Sequence, residues 1–80
     1  MDRIEKFRGK ANAALRARMD DALRKILAND LQYLDIKPLT GQDDLFRCRI
    51  GKVRIIFQRT KAGNVVIDIG FRGHIYKRKN

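Results

Sequence analysis

The chain is poor in the residues that staple a fold or hold a metal. It has one cysteine, one histidine and one proline in 80 residues. A lone Cys48 excludes an intramolecular disulfide and any all-cysteine metal site. One His, one Cys and scattered carboxylates show no metal-ligand spacing, so neither metal nor cofactor is expected. The glycines at 41, 51, 63, 70 and 73 follow no phosphate-loop pattern. No apolar run approaches the length of a membrane span and no signal-peptide pattern opens the chain, so the expected setting is the cytoplasm, with no membrane partner. Acidic residues are also scarce. Nine Asp and Glu face nineteen Lys and Arg, a formal charge of +10. On one small domain, residues 1–80, that charge favours a polyanionic partner: nucleic acid, an acidic protein, or both in turn.

What is present begins with a helical pattern from Asp2 to about Asn29. Ile4, Phe7, Ala11, Leu15, Met19, Leu23 and Ile26 recur at spacings of three and four, and Ala22 and Leu27 widen the stripe. Gly9 interrupts the run at a cost of about 1 kcal/mol against Ala. Asn12 is suited to cap a fresh start. The region therefore reads as helices near 2–9 and 12–29, with one continuous helix as the alternative. Arg16, Arg18 and Arg24 fall off the stripe, on a solvated face. The segment Leu31 to Asp44 carries Pro38 and reads as a loop, with Ile36 and Leu39 tucked under the helices.

The stretch Leu45 to Arg59 reads as a β-hairpin. Phe46, Cys48 and Ile50 alternate with Arg47 and Arg49; Val53, Ile55 and Phe57 alternate with Arg54, Ile56 and Gln58. Gly51-Lys52 between them fits a two-residue loop with Gly at its first central position. That loop sets Ile50 opposite Val53, Arg49 opposite Arg54, Cys48 opposite Ile55, Arg47 opposite Ile56 and Phe46 opposite Phe57. One face is then apolar, and Cys48 is a buried thiol rather than a nucleophile. The other face holds three arginines, two of them directly opposed, which destabilises a sheet unless an anion sits there. Phosphate suits the guanidinium fork best. The bland alternative is a solvated, incidentally basic face.

A turn at Lys61 to Asn64 leads to a third strand, Val65 to Ile69. Packing Val65, Ile67 and Ile69 with Ile55 and Phe57 requires an odd-length loop, such as Lys61 to Gly63. Asp68 and Gly70 then join the arginine face, and an extended continuation adds Arg72, His74 and Tyr76. The expected core sets Phe46, Cys48, Ile50, Ile55, Phe57, Val65, Ile67 and Ile69 beneath Leu15, Met19, Leu23, Ile26 and Leu27. The expected fold is α+β: two N-terminal helices on a small twisted antiparallel sheet of three or four strands. Arginine holds phosphate but is no base at neutral pH, whereas His74 is the only side chain of a type whose unperturbed pKa lies near neutrality. Tyr76 can stack on a base or move a proton.

The phrase IKPLTG, the hairpin FRCRIGKVRIIF and the ending DIGFRGHIYKR resemble the RelE/ParE superfamily of toxins from type II toxin–antitoxin modules, most closely the RelE-like mRNA interferases. The resemblance covers about residues 4 to 78. It implies that Arg54, Arg72 and Tyr76 act in catalysis and that Arg47 and Arg49 bind RNA. His74 is a further candidate proton carrier, and Lys52 and Lys77 add phosphate contacts. The implied activity is translation-inhibiting endoribonuclease cleavage: ribose 2′-hydroxyl attack on the adjacent phosphate, without metal. The implied partners are a cognate antitoxin and the ribosome with its mRNA. Three departures stand out. The strand that often precedes the first helix is missing or cut short, Phe71 stands where His is common, and His74 stands where an acidic residue is common. The alternatives are a non-catalytic ParE-like gyrase inhibitor and an inactive RNA-binding homologue.

Overall fold

The computed structural model describes residues 3–41 and 43–71. Its elements run α1 (Arg3–Lys10), α2 (Ala13–Leu27), β1 (Asp35–Pro38), β2 (Leu45–Ile50), β3 (Val53–Thr60) and β4 (Gly63–Phe71). The strands form one antiparallel sheet in the order β1-β2-β3-β4. This is an α+β architecture with the helices on one face of a meander. Among the described residues no helix is long and apolar enough to cross a membrane.

The helical region does divide at the Gly9–Asn12 stretch. Asn12 adopts an extended backbone and its side-chain oxygen accepts from the Leu15 N–H at 2.8 Å, satisfying a donor that a helix start leaves orphaned. Arg16 closes the other side of the joint. Its guanidinium donates to the Ala11 and Arg8 carbonyls at 2.8 and 3.2 Å, the latter also accepting from the Ala11 N–H at 3.2 Å. The end of α2 is a Schellman turn: Asn29 sits at φ 58, its N–H donates to Ile26 O, and the Asp30 N–H donates to Lys25 O. Leu27 lies at that turn and is 61% exposed, so it is not the core residue its place in the stripe suggested.

Arg8 joins the helices through a two-pronged pair with Asp20, with Nη2 2.7 Å from Oδ2. The hydrogen bond from Arg8 holds the Asp20 carboxyl below its ordinary value. A depressed carboxyl contributes stability above the unfolded-state pKa of about 3.9 and loses it as pH falls through the folded-state value. Asp20→Asn is therefore expected to flatten the loss of stability below about pH 4. Urea midpoints measured from pH 5 downward test this; parallel curves for the two chains would refute it.

The β2–β3 register is the one the hairpin spacing dictates, from Phe46↔Phe57 to Ile50↔Val53. Gly51 takes φ 58 at the first central turn position, a conformation that costs a β-carbon-bearing residue strain. The apolar face packs on α2: Met19, Ala22 and Ile26 meet Cys48, Ile50, Val53, Ile55, Phe57 and Ile69, all buried. Phe46 is only half-buried. It stacks on Phe57 at 5.8 Å, and the Arg59 guanidinium lies 5.8 Å from its ring centre. Leu15 and Leu23 pack on the core from its rim.

Two expectations fail in the sheet. The segment read wholly as loop contains β1, which sets Ile36 opposite Cys48. The register of β4 also differs. Its turn is the even, two-residue Lys61-Ala62, closed by the Thr60↔Gly63 pair, so Val66 rather than Ile67 lies opposite Phe57. A β-bulge at Ile67 then restores Asp68 opposite Ile56 and Ile69 opposite Ile55. Val65 consequently falls on the arginine face beside Gln58. Val65 is 50% and Ile67 39% exposed, and neither belongs to the core.

Candidate nucleic-acid interface

The face of the sheet turned away from α2 is built in rows. Because side chains alternate along each strand, paired residues share a face. The first row is Asp35, Arg49, Arg54 and Gly70; the second is Lys37, Arg47, Ile56 and Asp68. Arg47, Arg49 and Arg54 are thus brought together as the hairpin register requires. Asp68 and Gly70 join them.

This face is not an open, solvated one along its middle. Ile56 is 2%, Leu45 5% and Asp68 7% exposed, although Leu45 and Ile56 lie outside the cluster formed with α2. Arg47 and Arg54 are half-buried, whereas Arg49 is exposed. Arg49 Nε donates to Asp35 Oδ2 at 3.1 Å, so its charge is partly matched from β1. Arg47 differs. Its Nη1 is buried and finds no hydrogen-bond partner. A buried donor left unmade costs about 1–3 kcal/mol, more when charged, which an anion bound there would offset. Asp68 is the one buried charged residue among those described, and its Oδ1 accepts from the Ile69 N–H at 2.9 Å.

Lys52 stands apart from these rows, exposed at the hairpin tip. It lines a groove of about 420 Å³ with Asn12, Leu15, Arg18, Val53 and Phe71, on the α2 side. Arg72, His74, Tyr76 and Lys77 lie outside the described residues. Asp35 and Lys37 were missed in the sequence reading. The alternation Leu34-Asp35-Ile36-Lys37 was the available signal, but it is short and ends in a proline.

Cys48 carries no chemistry here. It is fully buried, and burial, with the Asp35 charge adding to it, pushes its thiol up to about 11. Among the described residues no group of three His, Cys, Asp or Glu side chains is placed to hold a metal ion. What the face offers is the exposed Arg49 beside the half-buried Arg47 and Arg54, a guanidinium set that suits a phosphate. No protein-family model, curated protein or solved structure matches the chain. The class defined by fold and site is a small, strongly basic α+β domain with an arginine-bearing sheet face.

Proposed function

We propose that the protein is the toxin of a type II toxin–antitoxin module, with a RelE-like fold, and that it cleaves mRNA on the ribosome. The observation that carries this reading is the arginine face: Arg49 opposite Arg54, with Arg47 one row along and its Nη1 buried without a hydrogen-bond partner. Like charges opposed on a sheet are unfavourable, and a phosphodiester relieves them.

In the proposed reaction a ribose 2′-oxygen bonds to the adjacent phosphorus and the bond to the 5′-oxygen breaks. The 2′-hydroxyl proton leaves with a base, and the 5′-oxygen gains a proton. The products are a cyclic phosphate and a free 5′-hydroxyl. Arg47 and Arg54 bind the phosphate and stabilise its developing charge. The resemblance adds Arg72 to that task and gives Tyr76 proton transfer or base stacking, with His74 as the alternative carrier. The toxin's partner is an antitoxin whose acidic segment covers this face, in a contact that weakens with salt.

The test adds purified protein to mRNA-programmed ribosomes, maps the cut ends and runs a DNA supercoiling assay in parallel. Cuts in the ribosomal A site bearing 5′-hydroxyl ends, with supercoiling unaffected, are expected. Inhibited supercoiling with intact mRNA would replace this reading with a ParE-like one. Intact mRNA and normal supercoiling together would reduce the chain to an inactive homologue.

A further inference from the structure

Two grooves on the α2 side of the hairpin tip are joined. The first, of about 420 Å³, is lined by Lys52 and Phe71; the second, of about 310 Å³, by Lys25, Tyr33 and Arg49. Arg18 and Ile50 line both, so the two make one furrow. Arg18 reaches over the turn, its Nη1 3.7 Å from where a β-carbon would sit on Gly51. One exposed ring stands in each groove. Tyr33 is 86% and Phe71 49% exposed, and neither belongs to the core. The acids of the furrow are already matched: Asp21 lies 3.1 Å from Lys25, and Asp35 lies 3.1 Å from Arg49. Among the described residues Arg18 and Lys52 make no ion pair, so two uncommitted cations remain.

We infer that this furrow is a binding track for single-stranded RNA, distinct from the arginine face. Phosphates sit on Arg18 and Lys52, and bases stack on Tyr33 and Phe71. A basic groove with exposed rings follows a single strand without reading its sequence, because every base has a π-face. The rings decide between polyanions. An acidic peptide answers the cations and leaves the rings in water. An RNA duplex brings phosphates but keeps its bases stacked on one another. A single strand satisfies both. Arg49 lines the second groove and also stands in the first row of the arginine face, so one strand can touch both surfaces. That the strand is RNA rests on the function proposed above; the track itself requires no cleavage.

The test uses the full chain with Tyr76→Phe, which leaves Tyr33 as the only tyrosine in a protein without tryptophan. The probe is a single-stranded RNA of roughly ten nucleotides and mixed sequence, added without ribosomes. Binding is expected to quench the Tyr33 fluorescence, whereas an RNA duplex of equal length and polyglutamate should leave it unchanged. Tyr33→Ala should weaken binding by about 5- to 100-fold with the salt dependence unaltered, and Tyr33→Phe should restore it. Arg18→Ala should reduce the slope of log affinity against log salt by about 0.7, one phosphate contact on a single strand. Tyr33 and Arg18 are both exposed, so the fold should survive, which circular dichroism checks. The quenching should persist in a chain carrying Arg47→Ala and Arg54→Ala. Intact mRNA in the ribosome assay would remove the cleavage reading and leave these results standing. Four outcomes would each overturn the inference: no quenching by the single strand, equal quenching by the duplex or by polyglutamate, unchanged affinity in Tyr33→Ala, or loss of quenching with Arg47→Ala and Arg54→Ala, which would assign the strand to the arginine face alone.

Discussion

Arg47→Ala and Arg54→Ala are each expected to slow ribosome-dependent cleavage by about 10²–10³-fold, the usual cost of removing one donor that stabilises a transition-state charge. The two sit on adjacent strands in neighbouring rows and share a half-buried face. Both substitutions shorten a side chain away from the cluster beneath α2, so the fold should survive and the unfolding midpoint should show it. Arg49→Ala is expected to cost less, because Arg49 is more exposed and already engaged with Asp35. Single-turnover rates on programmed ribosomes give the comparison. Full-rate cleavage in an Arg54→Ala, Arg72→Ala double variant would remove this face from consideration. Tyr76→Phe distinguishes stacking, which Phe retains, from proton transfer, which it cannot perform. His74→Ala should flatten the pH–rate profile between about pH 6 and 8 only if that imidazole titrates in the reaction.

Phe57→Ala is expected to remove a large share of the protein's stability and to lower its unfolding midpoint sharply. Phe57 is fully buried beneath α2 and is the largest of the fully buried side chains. Truncating such a ring costs about 3–5 kcal/mol, since the cavity left behind collapses only in part. A domain of this length has a total stability of only about 4–12 kcal/mol, at 0.05–0.15 kcal/mol per residue. Val65→Ala, eight positions along but exposed, should change stability by under about 0.5 kcal/mol. Urea unfolding followed by circular dichroism measures both. An unchanged midpoint for Phe57→Ala would contradict the placement of the core.

The contrast between those two residues shows what the sequence conveyed. Around Phe57 the reading was sound because local chemistry and long-range packing agreed: alternation, a Gly-X turn, and one face shared by Phe46, Cys48, Ile50, Val53, Ile55 and Phe57. At Val65 the alternation was equally clear, yet it implied the wrong face. The facing of β4 depends on whether the turn has two or three residues and on a bulge, and neither leaves a mark in the hydrophobic pattern. Asn12 was legible because a cap is a local bond. Leu27 was misread because periodicity does not say where a helix stops, whereas the left-handed Asn29 does. The three hairpin arginines were legible as a group. Asp35 and Lys37 were not, because β1 spans only four residues and owes its pairing to β2 rather than to its own sequence.

The bulge in β4 has a bearing on how the gene for this chain can change in length. Removing Ile67 would leave Val66 opposite Phe57 and Asp68 opposite Ile56, an unbroken ladder with every remaining side chain facing as before. Removing a neighbour on the core side of that point, such as Ile69, would invert the facing of the rest of the strand and carry Asp68 or Gly70 toward the apolar layer. One codon in this strand is therefore dispensable to the fold, while those around it are locked in phase. A lineage that keeps Ile67 despite that freedom would be keeping it for what the outer edge of the sheet touches.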